Sequence, residues 1–288
     1  MPADRWRHLD PRHARPGLDT AVREGRPMTK PATIVHFVGA GPGAADLLTV
    51  RATRLLGEAD VVLYPGTYLD PDVLSHVSPG AELVDTQGLD LDQISACLIA
   101  AARTAKQVVR LTSGDPSLYS ALAEQTRRLA AEGVAWDVTP GVPAYAAAAA
   151  LVGTELTVPL VSQSVVLTRT RARSSAMPET EALATFASTR ATLVLHLAIT
   201  RVRAIMAEIE PEHGADCPVV VVHRASQPGE RVLRGTVATI ADLVDDADLR
   251  QAAVILVGRA LADDGGESWL YAAHRDRSVT SPSRTPTG

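Results

Sequence analysis

Cysteines, aromatic residues and long apolar runs are scarce in this sequence. Its two cysteines, Cys97 and Cys217, lie in no paired motif, which argues against a disulfide framework and against a zinc site. No apolar run approaches the roughly 18 residues of a membrane-spanning helix. The Arg-rich first thirty residues lack the apolar core of a secretory signal. We therefore expect a cytoplasmic protein without a metal site or a membrane segment.

An excess of basic residues is also missing. The formal net charge is −5, whereas nucleic-acid-binding domains usually carry a basic face. Aromatic residues make up 3% of the chain, which leaves little material for platforms on which bases could stack. This composition disfavours nucleic acid as a partner, although a local basic patch would still be compatible with it.

The chain of 288 residues is long enough for two domains. We predict a disordered leader over 1–30 and a disordered tail over 264–288, which is rich in Gly, Ser, Pro, Thr and Arg; Met28 is an alternative start. Strand-like and helix-like segments alternate over 31–142, which predicts an α/β domain with a mainly parallel sheet. A hairpin at Gln227-Pro228-Gly229 predicts a mixed sheet in a second α/β domain over 143–263. The cleft between two such domains is a common ligand site.

A glycine-rich turn, Gly39-Ala40-Gly41-Pro42-Gly43-Ala44, follows the first predicted strand. It matches a dinucleotide-binding pattern, which also requires an acidic residue at the end of the second strand. Here that strand ends at Tyr64-Pro65-Gly66, and the nearest acid, Asp60, precedes it. A plain strand-to-helix turn needs glycine as well, so this motif alone leaves its role open. The predicted helix over 48–56 follows, with Asp46 as its N-cap.

A second turn, Ser113-Gly114-Asp115-Pro116, ends a later apolar run. Asp115 and Pro116 suit the N-cap and the first position of the helix predicted over 119–131. Gly114 leaves the backbone uncovered, so that a small ligand could approach it. A third turn, Thr139-Pro140-Gly141-Val142-Pro143, precedes an alanine-rich segment.

The three turns, in this order, resemble the tetrapyrrole methyltransferases. The resemblance covers about residues 33–262 and implies two α/β domains with the active-site cleft between them, S-adenosylmethionine as the co-substrate, and a homodimer. Leu197 and Ala225 stand where relatives often have methionine and glycine. Carried over position by position, the resemblance implies these cofactor-binding residues: Pro42, Ser113, Gly114, Asp115, Leu118, Pro143, Ala144, Leu197 and Ala225.

Three further stretches resemble the branch of this family that methylates a corrin precursor at C11. They span residues 155–169, 177–183 and 223–230. Gly229 replaces the usual Asp in the last of them, and the loop over 64–69 departs from the usual sequence. Methylation of another corrin carbon or of uroporphyrinogen, or of ribosomal RNA or a protein by the same fold, remains an alternative. A non-enzymatic binding module or an oxidoreductase is a third interpretation.

The implied substrate carries many carboxylates, so an acidic enzyme must concentrate cations locally. Arg169, Arg171 and Arg173 alternate and would share one face of a strand, and arginine forks suit carboxylates. Arg224 and Arg231 flank the predicted hairpin turn. A solvated edge is the competing interpretation for all of these arginines.

No catalytic base stands out in the sequence. Asp115 and Tyr64 are the candidates, and Tyr64, at a strand end, is also a candidate for substrate contact. The eight histidines show no metal-ligand spacing. We interpret the three in predicted strands, His36, His196 and His223, as buried or edge residues.

Overall fold

The computed structural model describes residues 33–66, 69–104, 107–170 and 177–262, and these form two α/β domains, each built on a five-stranded sheet. The predicted leader and tail lie outside the described residues. Within the described ranges, no helix is long and apolar enough to cross a membrane.

All strands of the first sheet are parallel, in the spatial order β3-β2-β4-β1-β5. This confirms the predicted parallel sheet. The strands are β1 (Ile34–Gly39), β2 (Val61–Tyr64), β3 (Glu82–Asp85), β4 (Val108–Thr112) and β5 (Ala135–Thr139). The helices of this half are α1 (Val50–Glu58), α2 (Pro71–Leu74), α3 (Leu91–Arg103) and α4 (Leu122–Ala131).

Apolar helix faces cover both sides of the first sheet. Leu55 and Leu56 of α1 pack on one side against Val109 and Leu111, whereas Leu98 of α3 packs on the other. Because β4 is buried along its whole length, its run of apolar residues is nearly continuous, as expected for a central parallel strand.

Two predicted helix caps are wrong. The N-cap of α1 is Thr49, whose side chain accepts a hydrogen bond from the Ala52 N–H, and Asp46 lies in a preceding 3-10 turn. Helix α4 begins at Leu122 after Ala121, so Asp115 caps no helix. Asp115 instead accepts the Ser117 N–H in a local turn, a competing use of short acidic side chains.

The second sheet is mixed, as predicted, in the order β6-β7-β10-β8-β9. β6 pairs with β7 in parallel and the other neighbours are antiparallel, including the predicted β8–β9 hairpin. The strands are β6 (Val165–Arg169), β7 (Thr192–His196), β8 (Pro218–His223), β9 (Arg231–Thr236) and β10 (Ala253–Val257). The helices are α5 (Ala144–Val152), α6 (Leu183–Ala187), α7 (Val202–His213) and α8 (Ile240–Asp246).

Helix α5 connects the two domains. It begins directly after the turn that ends β5, with Pro143 as its N-cap. Its alanines, including Ala148, pack against Val194, Val220 and Leu256 of the second sheet. The small side chains let the helix lie close to that sheet, which places the carboxyl edge of the first sheet beside the second domain.

Candidate functional site

The three glycine turns meet at the carboxyl edge of the first sheet. β1 lies between β4 and β5, and parallel strands end at the same edge, so the turns that follow these strands are neighbours. Gly41 and Gly114 exchange backbone hydrogen bonds of 2.8 and 3.2 Å. The first two turns are thereby joined through their backbones alone.

Glycine is required where the first and third turns cross. A Cβ atom at Gly39 would lie closer than 3.0 Å to backbone atoms of Gly141, and a Cβ atom at Gly141 would overlap the carbonyl oxygen of Gly114. Both obstacles are backbone atoms, which cannot rotate away. Sterics therefore require glycine at both positions, and no side chain stands between the backbones at this edge.

Asp115 fastens the second turn to the third. Its Oδ2 accepts a hydrogen bond from the Gly141 N–H at 2.8 Å, and its Oδ1 accepts one from the Ser117 N–H at 2.8 Å. Partial burial raises the pKa of this carboxyl group, but the hydrogen bonds from Ser117 and Gly141 outweigh burial and leave the pKa below its ordinary value. Asp115 is thus held as a carboxylate.

The turn after β8 brings the second domain onto the first turn. The Gln227 side-chain amide donates to the Pro42 carbonyl oxygen at 2.6 Å, and the Ser226 hydroxyl accepts from the Ala44 N–H at 3.2 Å. These two contacts fix the separation of the domains beside the glycine turns.

A cleft of about 670 Å³ opens between the domains at this point. The residues that line it include five of the nine expected cofactor-binding residues and one expected substrate-binding arginine. They are Pro42, Ser113, Ala144, Leu197, Ala225 and Arg224. Residues far apart in the sequence are therefore brought to one concave surface.

The other expected cofactor-binding residues lie behind or beside this lining. Gly114 and Asp115 form the second turn itself, and Pro143 directly precedes the lining residue Ala144. Leu118 is half-buried, and its N–H bonds to the Asp115 carbonyl oxygen.

The expected substrate-binding residues are more scattered. Tyr64 is half-buried at the carboxyl end of β2, packs against the core under α1, and is outside the cleft lining. Arg169 ends β6 opposite His196 of β7. Arg231 is exposed on β9, where its guanidinium donates to the Ala247 carbonyl oxygen. Arg171 and Arg173 lie outside the described residues.

Backbone strain is present at the cleft. Leu197, Arg224 and Ser226 adopt left-handed conformations with φ of 52°, 49° and 63°. Such conformations are costly for residues other than glycine and often mark ligand sites. The Leu197 side chain is 70% exposed, which presents an apolar surface to the cleft.

Several residues of the lining carry chemistry that the sequence interpretation missed, namely His196, His223, Gln227 and Arg250. His196 and His223 end the strands β7 and β8, which both pair with β10 and therefore end at the same edge of the second sheet. The alternation of strands was visible in the sequence, whereas the order of strands that makes these ends neighbours was not.

A family described as Tetrapyrrole (Corrin/Porphyrin) Methylases matches residues 34–241 of this sequence. The chain belongs to this family. The glycine turns and the ends of β7 and β8 that line the cleft fall within the matched region, whereas the lining residues of β10 lie beyond it.

Three known proteins illustrate the similarity of this methylase to others. A precorrin-4 C(11)-methyltransferase of Rhodococcus erythropolis is 52% identical over 246 residues, which cover 85% of this chain and 99% of that protein. The structure of a cobalt precorrin-4 methyltransferase matches with a TM-score of 0.76 and 39% identity, covering 79% of this chain and 95% of that one. A uroporphyrin-III C-methyl transferase from Thermus thermophilus, complexed with S-adenyl homocysteine, matches with a TM-score of 0.69 and 31% identity, covering 80% and 99%.

Proposed function

We propose that this protein transfers a methyl group from S-adenosylmethionine to C11 of precorrin-4, giving precorrin-5 in cobalamin biosynthesis. The main support is that five of the nine residues expected to contact the methyl donor, taken from separate parts of the chain, line one cleft between the domains. The methyl acceptor, precorrin-4, is inferred from a relative that is 52% identical and is named precorrin-4 C(11)-methyltransferase.

The residues of the cleft fit S-adenosylmethionine. The crossing of Gly39 and Gly141 keeps this edge free of side chains, so that the polar end of such a molecule can approach the backbone of the turns. Ala144 and Ala225 keep the lining small, and the exposed Leu197 offers an apolar contact. The Thermus thermophilus structure with S-adenyl homocysteine supports this assignment for the fold.

Cationic side chains at the cleft favour a polycarboxylate substrate. Arg224 and Arg250 contribute to the lining. The guanidinium of Arg250 also forms ion pairs with Asp245 and Asp248, which hold it at the mouth. In a protein with a net charge of −5, Arg224, which forms no ion pair with a described carboxylate, supplies the attraction that substrate carboxylates need.

The protein is expected to promote methyl transfer mainly by aligning the two reactants and by excluding water from the cleft. S-adenosylmethionine supplies an electrophilic methyl group on a positively charged sulfur. The glycine turns and the Gln227 contact hold the two walls of the cleft at a fixed separation. Well-oriented reactants gain several kcal/mol in this way, and a dry cleft favours a step in which charge is dispersed.

We also propose that the enzyme acts as a homodimer in the cytoplasm. The resemblance to the tetrapyrrole methyltransferases, which implies a homodimer, supports this proposal. Sedimentation at micromolar concentration tests this: a dimer is expected, and a monomer would refute the proposal.

Parallel methyl-transfer assays test the proposed substrate. The full chain is incubated with labelled S-adenosylmethionine and metal-free precorrin-4, cobalt-precorrin-4 or uroporphyrinogen III. We expect the highest kcat/KM with metal-free precorrin-4, because the relative named for it is more identical than the cobalt enzyme. Faster methylation of uroporphyrinogen III would move the assignment to another member of the family. Retention of NAD rather than S-adenosylhomocysteine on the purified protein would instead favour an oxidoreductase.

A further inference from the structure

His196 is one of two histidines of the cleft lining with an enclosed ring nitrogen that has no hydrogen-bond partner, the other being His223. His196 ends β7 and contributes to the lining. Its Nε2 is enclosed and unpartnered, and Nδ1 also makes no hydrogen bond to any residue that the structure describes. Unsatisfied polar atoms at an enclosed position are rare and call for an explanation.

Two tyrosine rings hold the imidazole in place. The Tyr119 ring lies 5.6 Å from it between centroids, tilted by 52°, and the Tyr145 ring lies 6.5 Å away at 89°. Tyr119 belongs to the segment after the second glycine turn, and Tyr145 to α5. His196 is therefore positioned by residues of the turn and the helix that flank the expected methyl-donor site.

Arginines predominate among the charged residues around His196. Arg169 lies opposite it in the parallel β6–β7 pair, and Arg224 and Arg250 line the same cleft. No carboxylate of the described residues forms a hydrogen bond or an ion pair with the ring, and Glu181 acts on the neighbouring Tyr119. Burial lowers the pKa of His196, so the imidazole is neutral near pH 7.

We propose that the neutral imidazole of His196 accepts the proton that the macrocycle releases when it is methylated. This inference rests on the proposed function. The new C–CH3 bond forms with an electron pair of the macrocycle as the S–CH3 bond breaks, and the electron pair of that bond stays on sulfur. The macrocycle, now positively charged, becomes neutral when a ring N–H gives its proton to the unprotonated nitrogen of His196. The imidazolium then releases the proton to water.

The positive charge of the methyl donor makes the basicity of His196 depend on the stage of the reaction. Before transfer, a sulfonium in the cleft repels a proton from His196 and keeps the imidazole neutral. Transfer converts the sulfonium to a neutral thioether and moves the positive charge to the macrocycle, where it is spread over the ring system and leaves with the ring proton. A weak base is sufficient, because the N–H of a positively charged macrocycle is strongly acidic. The proton acceptor thus becomes more basic as the proton becomes available.

Histidine NMR tests this coupling without any turnover. The pKa of His196 is measured in the full chain with S-adenosylmethionine or S-adenosylhomocysteine bound, and its signal is assigned by its loss in His196→Asn. We expect a pKa about one pH unit lower with the sulfonium, as for a unit charge about 10 Å away at an effective dielectric constant near 20. His36, which is outside the cleft lining, serves as the internal control, and its pKa should be the same in both complexes. Equal His196 pKa values in the two complexes would overturn the inference.

Kinetics provide the second test. In His196→Asn and His196→Gln, kcat with precorrin-4 should fall about 10²–10⁴-fold, while S-adenosylhomocysteine affinity stays unchanged. The acid limb of the wild-type pH–kcat profile should disappear, and imidazole added to His196→Ala should restore part of the rate. His76→Asn should keep the wild-type rate and profile. A His196→Asn enzyme with the wild-type rate and acid limb would overturn this inference alone, whereas a wild-type enzyme that fails to bind the methyl donor would overturn the proposed function with it.

Discussion

The carboxylate of Asp115 accepts a hydrogen bond from the Gly141 N–H, 2.8 Å away, and so joins two turns that are 26 residues apart in the sequence. The sequence suggested Asp115 as a ligand contact, but its carboxylate forms hydrogen bonds within the protein. It holds the turn after β4 against the turn after β5, beside the cleft lining of Ser113 and Ala144.

Substitution of Asp115 should weaken binding of the methyl donor while the fold persists. Asp115→Ala removes the acceptor for Gly141 and Ser117, and hydrogen bonds to charged groups contribute about 1.5–3 kcal/mol. We expect S-adenosylhomocysteine affinity, measured by calorimetry, to fall tenfold or more. Asp115→Asn keeps one oxygen acceptor and should lose less. Wild-type affinity in Asp115→Ala would contradict this role.

The Asp115 contacts also predict a dependence on acid. Because its pKa is lower in the folded protein than in the unfolded chain, ionised Asp115 stabilises the fold at all pH values above its unfolded pKa. That stabilisation is lost as the pH falls through the folded pKa. Urea unfolding across the acidic range should therefore show a smaller loss of stability in Asp115→Asn than in the wild type. Identical acid profiles would argue that the carboxylate is not stabilised by these contacts.

The crossing of Gly39 and Gly141 should tolerate no side chain. Gly141→Ala would force a Cβ atom into the Gly114 carbonyl oxygen, and we expect a loss of about 1–3 kcal/mol or more in the free energy of unfolding, together with loss of donor binding. Gly80→Ala is the matched control, since a Cβ atom there meets nothing within 4 Å. A Gly141→Ala protein with wild-type stability and affinity would show that the turns can separate without consequence.

The Gln227–Pro42 hydrogen bond should couple the two domains to donor binding. Gln227→Ala removes this contact, which is worth about 0.5–1.5 kcal/mol, and S-adenosylhomocysteine affinity should fall by up to about tenfold. Gln163→Ala is the control, because the Gln163 amide donates only to the adjacent Ser162 carbonyl oxygen among the described residues. Equal affinities in the two variants would contradict the coupling.

A pH-dependent contribution to stability is expected far from the cleft. His36 Nδ1 lies 2.8 Å from Asp137 Oδ1, and this hydrogen bond raises the pKa of His36. The resulting stabilisation is fully present below the unfolded pKa of histidine and is lost as the pH rises through the folded pKa. Because Asp137 is half-exposed, the effect should be about 0.5–1 kcal/mol.

Urea unfolding at about pH 5.5 and about pH 8.5, on either side of the ordinary histidine pKa, measures this contribution. Asp137→Asn should lower the stability at the acidic pH and leave the alkaline value nearly unchanged. An equal loss at both pH values would show that the pair does not titrate as described.

The sequence was sufficient where local patterns determine structure. The strands Val61–Tyr64, Thr192–His196 and Pro218–His223 are examples, because each is an uninterrupted run dominated by apolar residues. The parallel and mixed sheets and the hairpin followed from the alternation of such runs with helical segments and from one turn signal.

The predictions from the sequence were wrong where a residue typical of a helix start bonds instead to a partner far along the chain. Asp115 and Pro116 have the appearance of a helix start, yet Asp115 bonds to Gly141, and α4 begins only at Leu122. The contribution of His196 was missed for a related reason. A missing hydrogen-bond partner is a property of the packed cleft and leaves no mark on the sequence around β7.

The position of the transferred methyl group tests the central claim most directly. Precorrin-4 is incubated with the full chain and S-adenosylmethionine that carries a ¹³C-labelled methyl group, and the product is examined by mass spectrometry and carbon NMR. The account predicts one added methyl group, located at C11. A methyl group at another carbon, or no transfer by a protein that binds the donor, would contradict it.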